Sequence, residues 1–198
     1  VTWTQYGIEM EADPRHARLI IEHVPVSGTV GNPCVKESSH ATDDQQAEKS
    51  LSPEDVTPYR STAMRVAYLS QDRPDLQIAA RYLAQGLKDP KERHWTALKR
   101  VARYLRGNLR LVQLFPFHDQ PVTRYEGWCD SNHAGSVRTR KSTTGYVGMI
   151  GPCCVRTCVI GQGLISLSSG ESEYYGLVSG MSQALGDQSV AKDWNVFL

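Results

Sequence analysis

Tyr125-Glu126-Gly127-Trp128-Cys129-Asp130 is the stretch that decides the fold, because it predicts a short strand that ends in an acidic residue. The chain is expected to turn directly after Asp130. Farther along, Leu167-Ser168-Ser169-Gly170-Glu171-Ser172-Glu173-Tyr174-Tyr175 predicts a helix with Glu171 and Glu173 in its first turns. An Asp at a strand end and a Glu early in a later helix can converge on one metal ion. Such a pair suits Mg²⁺-dependent phosphodiester chemistry.

The composition is that of a chain with a modest core and no membrane span. Hydrophobic residues make up 40% of the 198 residues, and no run reaches the ~18 apolar residues that cross a bilayer. The first residues do not have the pattern of a signal peptide, so none is expected. Five cysteines predict reduced thiols, and Cys153, Cys154 and Cys158 lack a second ligand pair at zinc spacing. The sequence therefore favours an intracellular protein, cytoplasmic or nuclear, with no membrane partner.

Positive charge is concentrated in the middle of the chain, although the net charge is only +1. Residues 58–110 hold 12 basic and 4 acidic residues, whereas residues 1–57 hold 4 basic and 10 acidic residues. This distribution favours a polyanionic partner such as nucleic acid. The side chains expected to contact its phosphates are Lys91, Lys99, Arg100, Arg103 and Arg106. The alternative is an ordinary solvated helix face.

Helix signals dominate the first 110 residues. Asp13-Pro14 predicts a helix to about His23, since Asp caps a helix and Pro suits its first position. Residues 26–57 have no apolar period and predict a loop or linker with little order. Two further helices are expected, one over about 59–70 and one from Pro74 through Leu83.

A fourth helix is expected to start at Asp89-Pro90, with Asp89 as its cap, and to stop at Gly107-Asn108. Its apolar residues recur at spacings of three and four, which is the period of a helix packed on one face. They are Trp95, Leu98, Val101, Ala102 and Leu105. Trp95 is the expected core anchor.

After residue 110 the pattern changes to strands and one late helix. The expected strands are Leu109–Phe115, Arg124–Asp130, Gly145–Ile150, Cys153–Cys158 and Leu164–Leu167, with a hairpin turn at Gly151-Pro152. The late helix is expected from about Gly170 to Leu185, and Ser189–Leu198 is expected to continue it after a break near Gly186. Its apolar stripe consists of Tyr174, Leu177, Val178, Met181 and Leu185.

Three separated motifs resemble the pol polyprotein of copia-type LTR retrotransposons, from the end of the reverse transcriptase into the ribonuclease H domain. They are Tyr59-Arg60 through Leu69 with Arg73-Pro74-Asp75; His94-Trp95 through Gly107; and Asp130 through Gly145 with Leu167 through Tyr174. Their order and spacing make the resemblance specific, and it spans roughly residues 58–185.

The resemblance implies an α+β fold, with a helical thumb or connection segment followed by a truncated ribonuclease H-like mixed sheet and one packed helix. The implied domains are a connector and partly disordered linker over 1–57, a reverse transcriptase thumb/connection-like helical region over 58–122, and a ribonuclease H-like domain over 123–198 that is incomplete at its C-terminus. The implied partners are an RNA–DNA hybrid or primer–template and the rest of the pol polyprotein.

In the family, an Asp on the first strand and a Glu in the first helix hold Mg²⁺, or Mn²⁺, and cut the RNA of an RNA–DNA hybrid by two-metal catalysis. Asp130 and Glu173 match these residues. The family's third acidic residue would follow on a later strand, which the chain does not reach, so weak metal binding and a poor or inactive nuclease are expected. His133 and Cys158 also stand where the family usually has Trp. The alternative is a non-enzymatic nucleic-acid-binding remnant of a degenerate element.

Residue chemistry alone leaves the choice of glutamate open. Glu171 lies three residues after Ser168 and fits a capping box. Glu173 shares a side of the helix with Gly176 and Gly180, which would let the helix approach a sheet closely. The helical wheel does not choose between the two glutamates, and the motif favours Glu173.

Other acidic residues have simpler interpretations. Asp130 would also suit a turn at a strand end, because Asp bonds its own turn well. Asp187 and Asp193 could be proposed as a third ligand. Both fall in the terminal helical region, so exposure to solvent is expected for them.

Overall fold

The computed structural model describes residues 1–34, 48–118, 124–136 and 138–194. It divides into two compact units, Glu11–Val112 and Val1–Met10 with Gln113–Leu198. Helices and antiparallel strands are both present, which confirms an α+β protein. Residues 35–47 of the expected linker lie outside the described residues.

Within residues 11–34 and 48–112, which the structure describes, the unit Glu11–Val112 holds four helices and a 3₁₀ turn. The helices are α1 (Pro14–His23), α2 (Pro53–Leu69), α3 (Gln77–Gln85) and α4 (Glu92–Gly107), and the turn at Pro74–Leu76 precedes α3. Each helix contributes buried apolar side chains to one core, among them Ile20, Tyr59, Val66, Leu83, Leu98, Val101 and Leu105. The apolar face predicted for the basic helix is therefore the face that packs.

The bounds of α1 are those predicted from its capping residues. The Asp13 side chain accepts a hydrogen bond from the backbone N–H of Arg15 at 2.9 Å. Pro14 occupies the first helical position, where the missing N–H costs nothing.

α2 begins at Pro53, earlier than the expected start near Tyr59. Pro53 follows Ser52 and takes the first helical position, which proline fits well. Pro58 lies inside the helix, where it removes one backbone hydrogen bond. The helix continues through Pro58 because one of its faces is buried, at Tyr59, Thr62, Ala63, Val66 and Leu69.

α4 begins at Glu92, so the expected cap at Asp89 was wrong. The backbone N–H of Lys91 donates to Nδ1 of His94 at 3.0 Å, and this bond closes the helix start instead. The end at Gly107 is confirmed.

Trp95 is half-buried beside the core of this unit rather than at its centre, so the expectation of a core anchor was wrong. Its ring lies 6.4 Å from that of Tyr59, measured between centroids. His94, the residue directly before Trp95, is buried instead. It has less apolar surface than Trp95 and was not expected in the core.

In the described part of the second unit there are two three-stranded sheets and one long helix. The first sheet has the order β1 (Thr2–Trp3), β2 (Gly7–Glu11), β3 (Val112–Pro116), and the second has the order β4 (Tyr125–Asn132), β5 (Thr143–Ile150), β6 (Cys153–Gly161). Helix α5 (Ser169–Asp193) packs on β4 and β5.

The β4-β5-β6 sheet corrects three expectations. β4 continues to Asn132, so Asp130 lies inside the strand, opposite Gly145, and not at its end. Both strand pairs are antiparallel, whereas a mixed sheet was expected. Hairpins join strands that are consecutive in the chain, and a parallel neighbour would need a crossover connection. Leu164–Leu167 is not a strand: three of its four side chains are exposed, and no described strand pairs with it.

The hairpin at Gly151-Pro152 is confirmed, and Gly151 has a φ of +56°, which only glycine adopts at little cost.

α5 is one continuous helix through Gly186, so the expected break was wrong. Its apolar stripe, from Tyr174 to Leu185, is exposed rather than packed. The buried face instead consists mainly of small residues, among them Ser172, Gly176 and Gly180. None of the described helices is long and apolar enough to cross a membrane.

Candidate metal site

Helix α5 lies unusually close to the strands beneath it because glycine faces them. A Cβ atom added to Gly176 would lie 3.5 Å from Cβ of Ser131 on β4. At Gly180 an added Cβ would lie 3.2 Å from Cβ of Cys129. The glycine side of the helix, which was inferred from the wheel, is therefore the side in contact with the sheet.

A buried polar contact joins the first turns of α5 to the sheet. The hydroxyls of Ser131 and Ser172 are hydrogen-bonded to each other. The side-chain amide of Gln162 donates to Ser131 Oγ at 3.0 Å, to Thr144 Oγ1 at 3.1 Å and to the carbonyl of Ser172 at 2.8 Å. Sequence reasoning missed this group, because isolated Ser, Thr and Gln residues carry no periodic signal.

Asp130 and Glu173 are the sequence neighbours of the two bonded serines. The contact between Ser131 and Ser172 therefore brings the two acidic positions to the same junction of β4 and α5. Side chains alternate along a strand, so Asp130 projects from the opposite face of β4 to Ser131. Both acidic residues are exposed, and neither makes a hydrogen bond or ion pair with another described residue.

This arrangement matches the chemistry of a hard cation in part. Mg²⁺ is usually bound through one or two carboxylates, with water completing its coordination. Asp130 and Glu173 are solvated carboxylates of the type that such an ion binds, but Asp130 projects from the face of β4 that is turned away from Ser131 and α5. Among the described residues, no group of three or more His, Cys, Asp or Glu side chains is placed to hold a metal ion.

Glu171 has a different environment from Glu173. Its backbone N–H donates to Ser168 Oγ at 3.1 Å, and its carboxylate accepts from the backbone N–H of Leu167 at 2.7 Å. Tyr175 donates its hydroxyl to the second carboxylate oxygen at 3.0 Å. These bonds raise the pKa of Tyr175, because ionising the phenol beside Glu171 is unfavourable. The helix-capping role inferred for Glu171 is confirmed.

Asp187 is largely buried, so the expected exposure was wrong for this residue. Its carboxylate accepts from Tyr125 Oη and from Arg156 Nε, both at 2.5 Å. It lies fourteen residues beyond Glu173 on the same helix, which at ~1.5 Å per residue is about 21 Å. Asp187 therefore anchors the far end of α5 and is too distant to share an ion with Glu173. Asp193 is exposed, as expected.

The basic side chains of α4 differ in how freely they could reach a phosphate. Arg100 Nε donates to the carbonyl of Asn32 at 3.0 Å, and Arg106 donates to the carbonyl of Val26 at 2.8 Å. Two of the five predicted phosphate contacts thus also hold the segment after α1 against α4.

Of the other three predicted contacts, Lys91 directly precedes α4 and Lys99 and Arg103 lie within it. Lys91 Nζ pairs with Asp89 at 2.8 Å and also donates to Ser50 Oγ at 3.0 Å. Lys99 Nζ lies 5.8 Å from the ring centre of Trp95, and Arg103 is half-buried. Lys99 and Arg103 are therefore the members of the set that are least engaged by hydrogen bonds and ion pairs among the described residues.

Comparison with known proteins gives two kinds of relatives: proteins of which the match covers half or more, and Pol polyproteins of which it covers a small part. Secreted RxLR effector protein 161 of Plasmopara viticola is 36% identical over 129 residues, which cover 65% of this chain and 89% of that protein. Uncharacterized mitochondrial protein AtMg00810 of Arabidopsis thaliana is 32% identical over 123 residues, 62% of this chain and 50% of the relative. The Retrovirus-related Pol polyprotein from transposon TNT 1-94 of Nicotiana tabacum is 32% identical over 118 residues.

The match to that Pol polyprotein covers 59% of this chain but only 9% of the polyprotein, so the similarity concerns one part of a much longer protein. No family model and no solved structure matches the chain.

Proposed function

This chain belongs to the family that includes Secreted RxLR effector protein 161, and we propose that its function descends from the reverse transcriptase and ribonuclease H part of a retrotransposon Pol polyprotein. Its similarity to Pol polyproteins from transposons makes it a transposon-derived protein. The ancestral activity that we propose is hydrolysis of the RNA strand in an RNA–DNA hybrid.

One observation carries this proposal: the bonded pair Ser131 and Ser172 holds the positions of Asp130 and Glu173 at one junction of strand and helix. An acidic residue that only stabilised the fold would be expected to have a partner, as Asp187 does. Asp130 and Glu173 have no hydrogen-bond or ion-pair partner among the described residues and are open to solvent. They are therefore available to a cation and to a polyanion that approaches with it.

Asp130 and Glu173 are the residues that would hold Mg²⁺ or Mn²⁺ in this proposal. A bound divalent ion activates water and stabilises the leaving oxygen in phosphodiester hydrolysis. Glu171 and Ser168 contribute by fixing the start of α5, so that Glu173 projects from an ordered first turn. Two carboxylates suit one weakly held ion, and efficient two-metal cleavage needs further ligands.

Helix α4 is the proposed nucleic-acid contact of the other unit. Its basic residues would bind phosphates, which gives affinity without sequence preference. Lys99 and Arg103 lead the set of five, since Lys91, Arg100 and Arg106 also bond to neighbouring groups. The partners are an RNA–DNA hybrid or a primer–template.

A non-enzymatic nucleic-acid-binding remnant is the second candidate. The observation in its favour is that no three acidic, His or Cys side chains converge within the described chain. In this case α4 would still bind nucleic acid, and Asp130 and Glu173 would be surface carboxylates.

The name of the Plasmopara relative contains a pattern that also occurs here, at Arg103-Tyr104-Leu105-Arg106. In this chain the pattern lies inside α4, where Leu105 is fully buried and Arg106 bonds to the carbonyl of Val26. These contacts account for the two residues through packing, so the pattern does not carry our proposal.

The test uses a fluorescently labelled RNA–DNA hybrid and the whole chain. Affinity, measured by anisotropy, is expected to fall as salt rises from about 50 to 200 mM. Replacing Lys99 and Arg103 together with Gln is expected to weaken binding and to reduce the salt slope by about 2, one unit for each lost phosphate contact. The matched control replaces two exposed cations outside α4, Arg18 and Lys49, with Gln.

The same hybrid, incubated with Mg²⁺ or Mn²⁺, separates the two candidates. Slow cleavage that stops in both Asp130→Asn and Glu173→Gln, and persists in Glu171→Gln, favours the nuclease. Binding without cleavage favours the remnant. A chain that neither binds nor cuts the hybrid contradicts the proposal.

A further inference from the structure

Helix α5 has an apolar side that no other part of the described chain covers. Five large side chains on this side are 50–64% exposed: Tyr174, Leu177, Val178, Met181 and Leu185. They lie across the helix from the small residues, among them Gly176 and Gly180, that are buried against the sheet. No charged residue occurs from Tyr174 to Gly186. An exposed apolar patch of a few hundred Å² or more commonly marks a site of association.

The residues along the middle of this side have the spacing of a coiled coil. Tyr174, Val178, Met181 and Leu185 follow one another at intervals of four, three and four residues, and we call these four the seam. The same heptad spacing continues to Glu171 before the seam and to Lys192 after it. Such a period lets the side chains of one helix pack between those of another over several turns.

The size of the patch fits a second copy of the same chain. Five half-exposed side chains of this size present on the order of 500 Å² of apolar surface. Leu167 is 91% exposed, and the hydrogen bond from its backbone N–H to Glu171 holds it beside the start of the seam. The patch thus supplies most of the about 800 Å² that each partner buries in a stable dimer. A twofold dimer uses one patch twice, so no second surface is needed.

The charges at the two ends of the seam favour an antiparallel pair. In a parallel pair each position faces its own counterpart, so two Glu171 carboxylates would be opposed, and two Lys192 ammonium groups as well. An antiparallel pair brings the acidic end of one helix to the basic end of the other. The register with the most apolar contacts then sets Tyr174 against Leu185, and Val178 against Met181, of the second copy.

We propose that α5 pairs antiparallel with α5 of a second copy of this chain through the seam. The pairing removes the apolar side of both helices from water, which favours association. It leaves the buried glycine side of α5 on its own sheet. The inference goes beyond the proposed function and does not rest on it.

The first test is sedimentation velocity of the whole chain over a range of concentrations. We expect a dimer at ~100 µM that dissociates on dilution toward ~1 µM. Val178→Lys and Met181→Glu each place a charge in the seam and are each expected to weaken dimerisation by about 100-fold or more. The matched control is Gly186→Glu, which adds a charge to the same helix away from the seam, where an added Cβ has nothing within 4 Å. It is expected to remain a dimer.

A mixture of Val178→Lys and Met181→Glu tests the direction of the pair. In the antiparallel register the introduced lysine of one copy faces the introduced glutamate of the other, and the second contact keeps the original Met181 and Val178. The mixture is therefore expected to dimerise at least about tenfold more tightly than either variant alone. A parallel pair would place each introduced charge opposite an apolar residue and would gain no ion pair.

Three results would overturn the inference. They are a whole chain that stays monomeric at ~100 µM, a dimer that survives both seam substitutions, and a mixture that associates no better than its components. Both substitutions lie on an exposed side, so unchanged circular dichroism is expected for them. If either variant fails to fold, Tyr174→Glu with Leu185→Lys makes the same comparison at the other contact of the seam.

Discussion

Glu171 and Glu173 are only two residues apart on α5, yet their surroundings assign them to different tasks. Both carboxylate oxygens of Glu171 accept hydrogen bonds, one from the backbone of Leu167 and one from Tyr175. Glu173 is exposed and makes no hydrogen bond or ion pair with another described residue. The helix start therefore depends on Glu171, and Glu173 remains available for a ligand.

Replacing these two glutamates tests that division through stability. Glu171→Ala removes a capping interaction and is expected to lower the free energy of unfolding by about 0.5–2 kcal/mol. Glu173→Ala removes no described contact and is expected to change it by less than about 0.5 kcal/mol. Urea unfolding followed by circular dichroism measures both. An equal loss in the two variants would contradict the assignment of Glu171 as the cap.

Tyr125 provides a pH test at the other end of α5. Its pKa is raised well above the usual value, first by burial and then by its hydrogen bond to the Asp187 carboxylate. A raised folded-state pKa contributes stability that is present below the unfolded pKa of about 10 and is lost as the pH rises above it. The chain is therefore expected to lose stability between about pH 10 and 11.5 more steeply than Tyr125→Phe.

The measurement is the urea midpoint at each pH, compared between the unaltered chain and Tyr125→Phe. The comparison isolates Tyr125 from the other tyrosines, several of which also have raised pKa values. Identical slopes in the two proteins would show that Tyr125 ionises as freely in the folded chain as in the unfolded one.

At the scale of elements, the chain's helix faces follow different rules. α4 buries a stripe of large apolar residues, which its period predicts correctly. α5 buries Ser172, Gly176 and Gly180 and exposes the large residues of its stripe. The apolar period locates large apolar residues along a helix. It does not predict that the sheet packs closely against the face of α5 that carries glycine and serine.

The ends of helices and strands could be predicted where local capping or turn residues determine them. The Asp13-Pro14 start and the Gly151-Pro152 hairpin follow from local rules and were predicted. The start of α2 and the continuity of α5 through Gly186 depend on packing and helix context that local rules do not contain. The end of β4 was misplaced because its pairing with β5 continues past Asp130.

Two glycines of α5 test its packing. An added Cβ at Gly186 would have nothing within 4 Å, so Gly186→Ala is expected to stabilise the helix by about 0.5–1 kcal/mol. At Gly180 an added Cβ already meets Cβ of Cys129 at 3.2 Å, so Gly180→Leu is expected to destabilise by about 1–3 kcal/mol or more. Thermal unfolding of both variants measures the difference. Equal tolerance at the two positions would mean that α5 does not lie close to β4.

At the scale of the whole molecule, the two units carry separate parts of the proposed function. The helical unit contains most of the positive charge and the proposed phosphate contacts, and the sheet unit contains Asp130 and Glu173. The sequence alone could nominate these two residues through the family motif and through the glycine side of the helix. It could not identify Gln162, Ser131 and Ser172, because the hydrogen bonds among them depend on the tertiary packing of three separate segments.

The central claim is that Asp130 and Glu173 share one divalent ion, and Mn²⁺ binding measured by electron paramagnetic resonance tests it most directly. We expect the unaltered chain to bind one Mn²⁺ weakly, since two carboxylates and water complete its coordination. Asp130→Asn and Glu173→Gln are each expected to abolish this binding, whereas Glu171→Gln, the matched control two residues away, retains it. Mn²⁺ binding that survives in both Asp130→Asn and Glu173→Gln would contradict the claim.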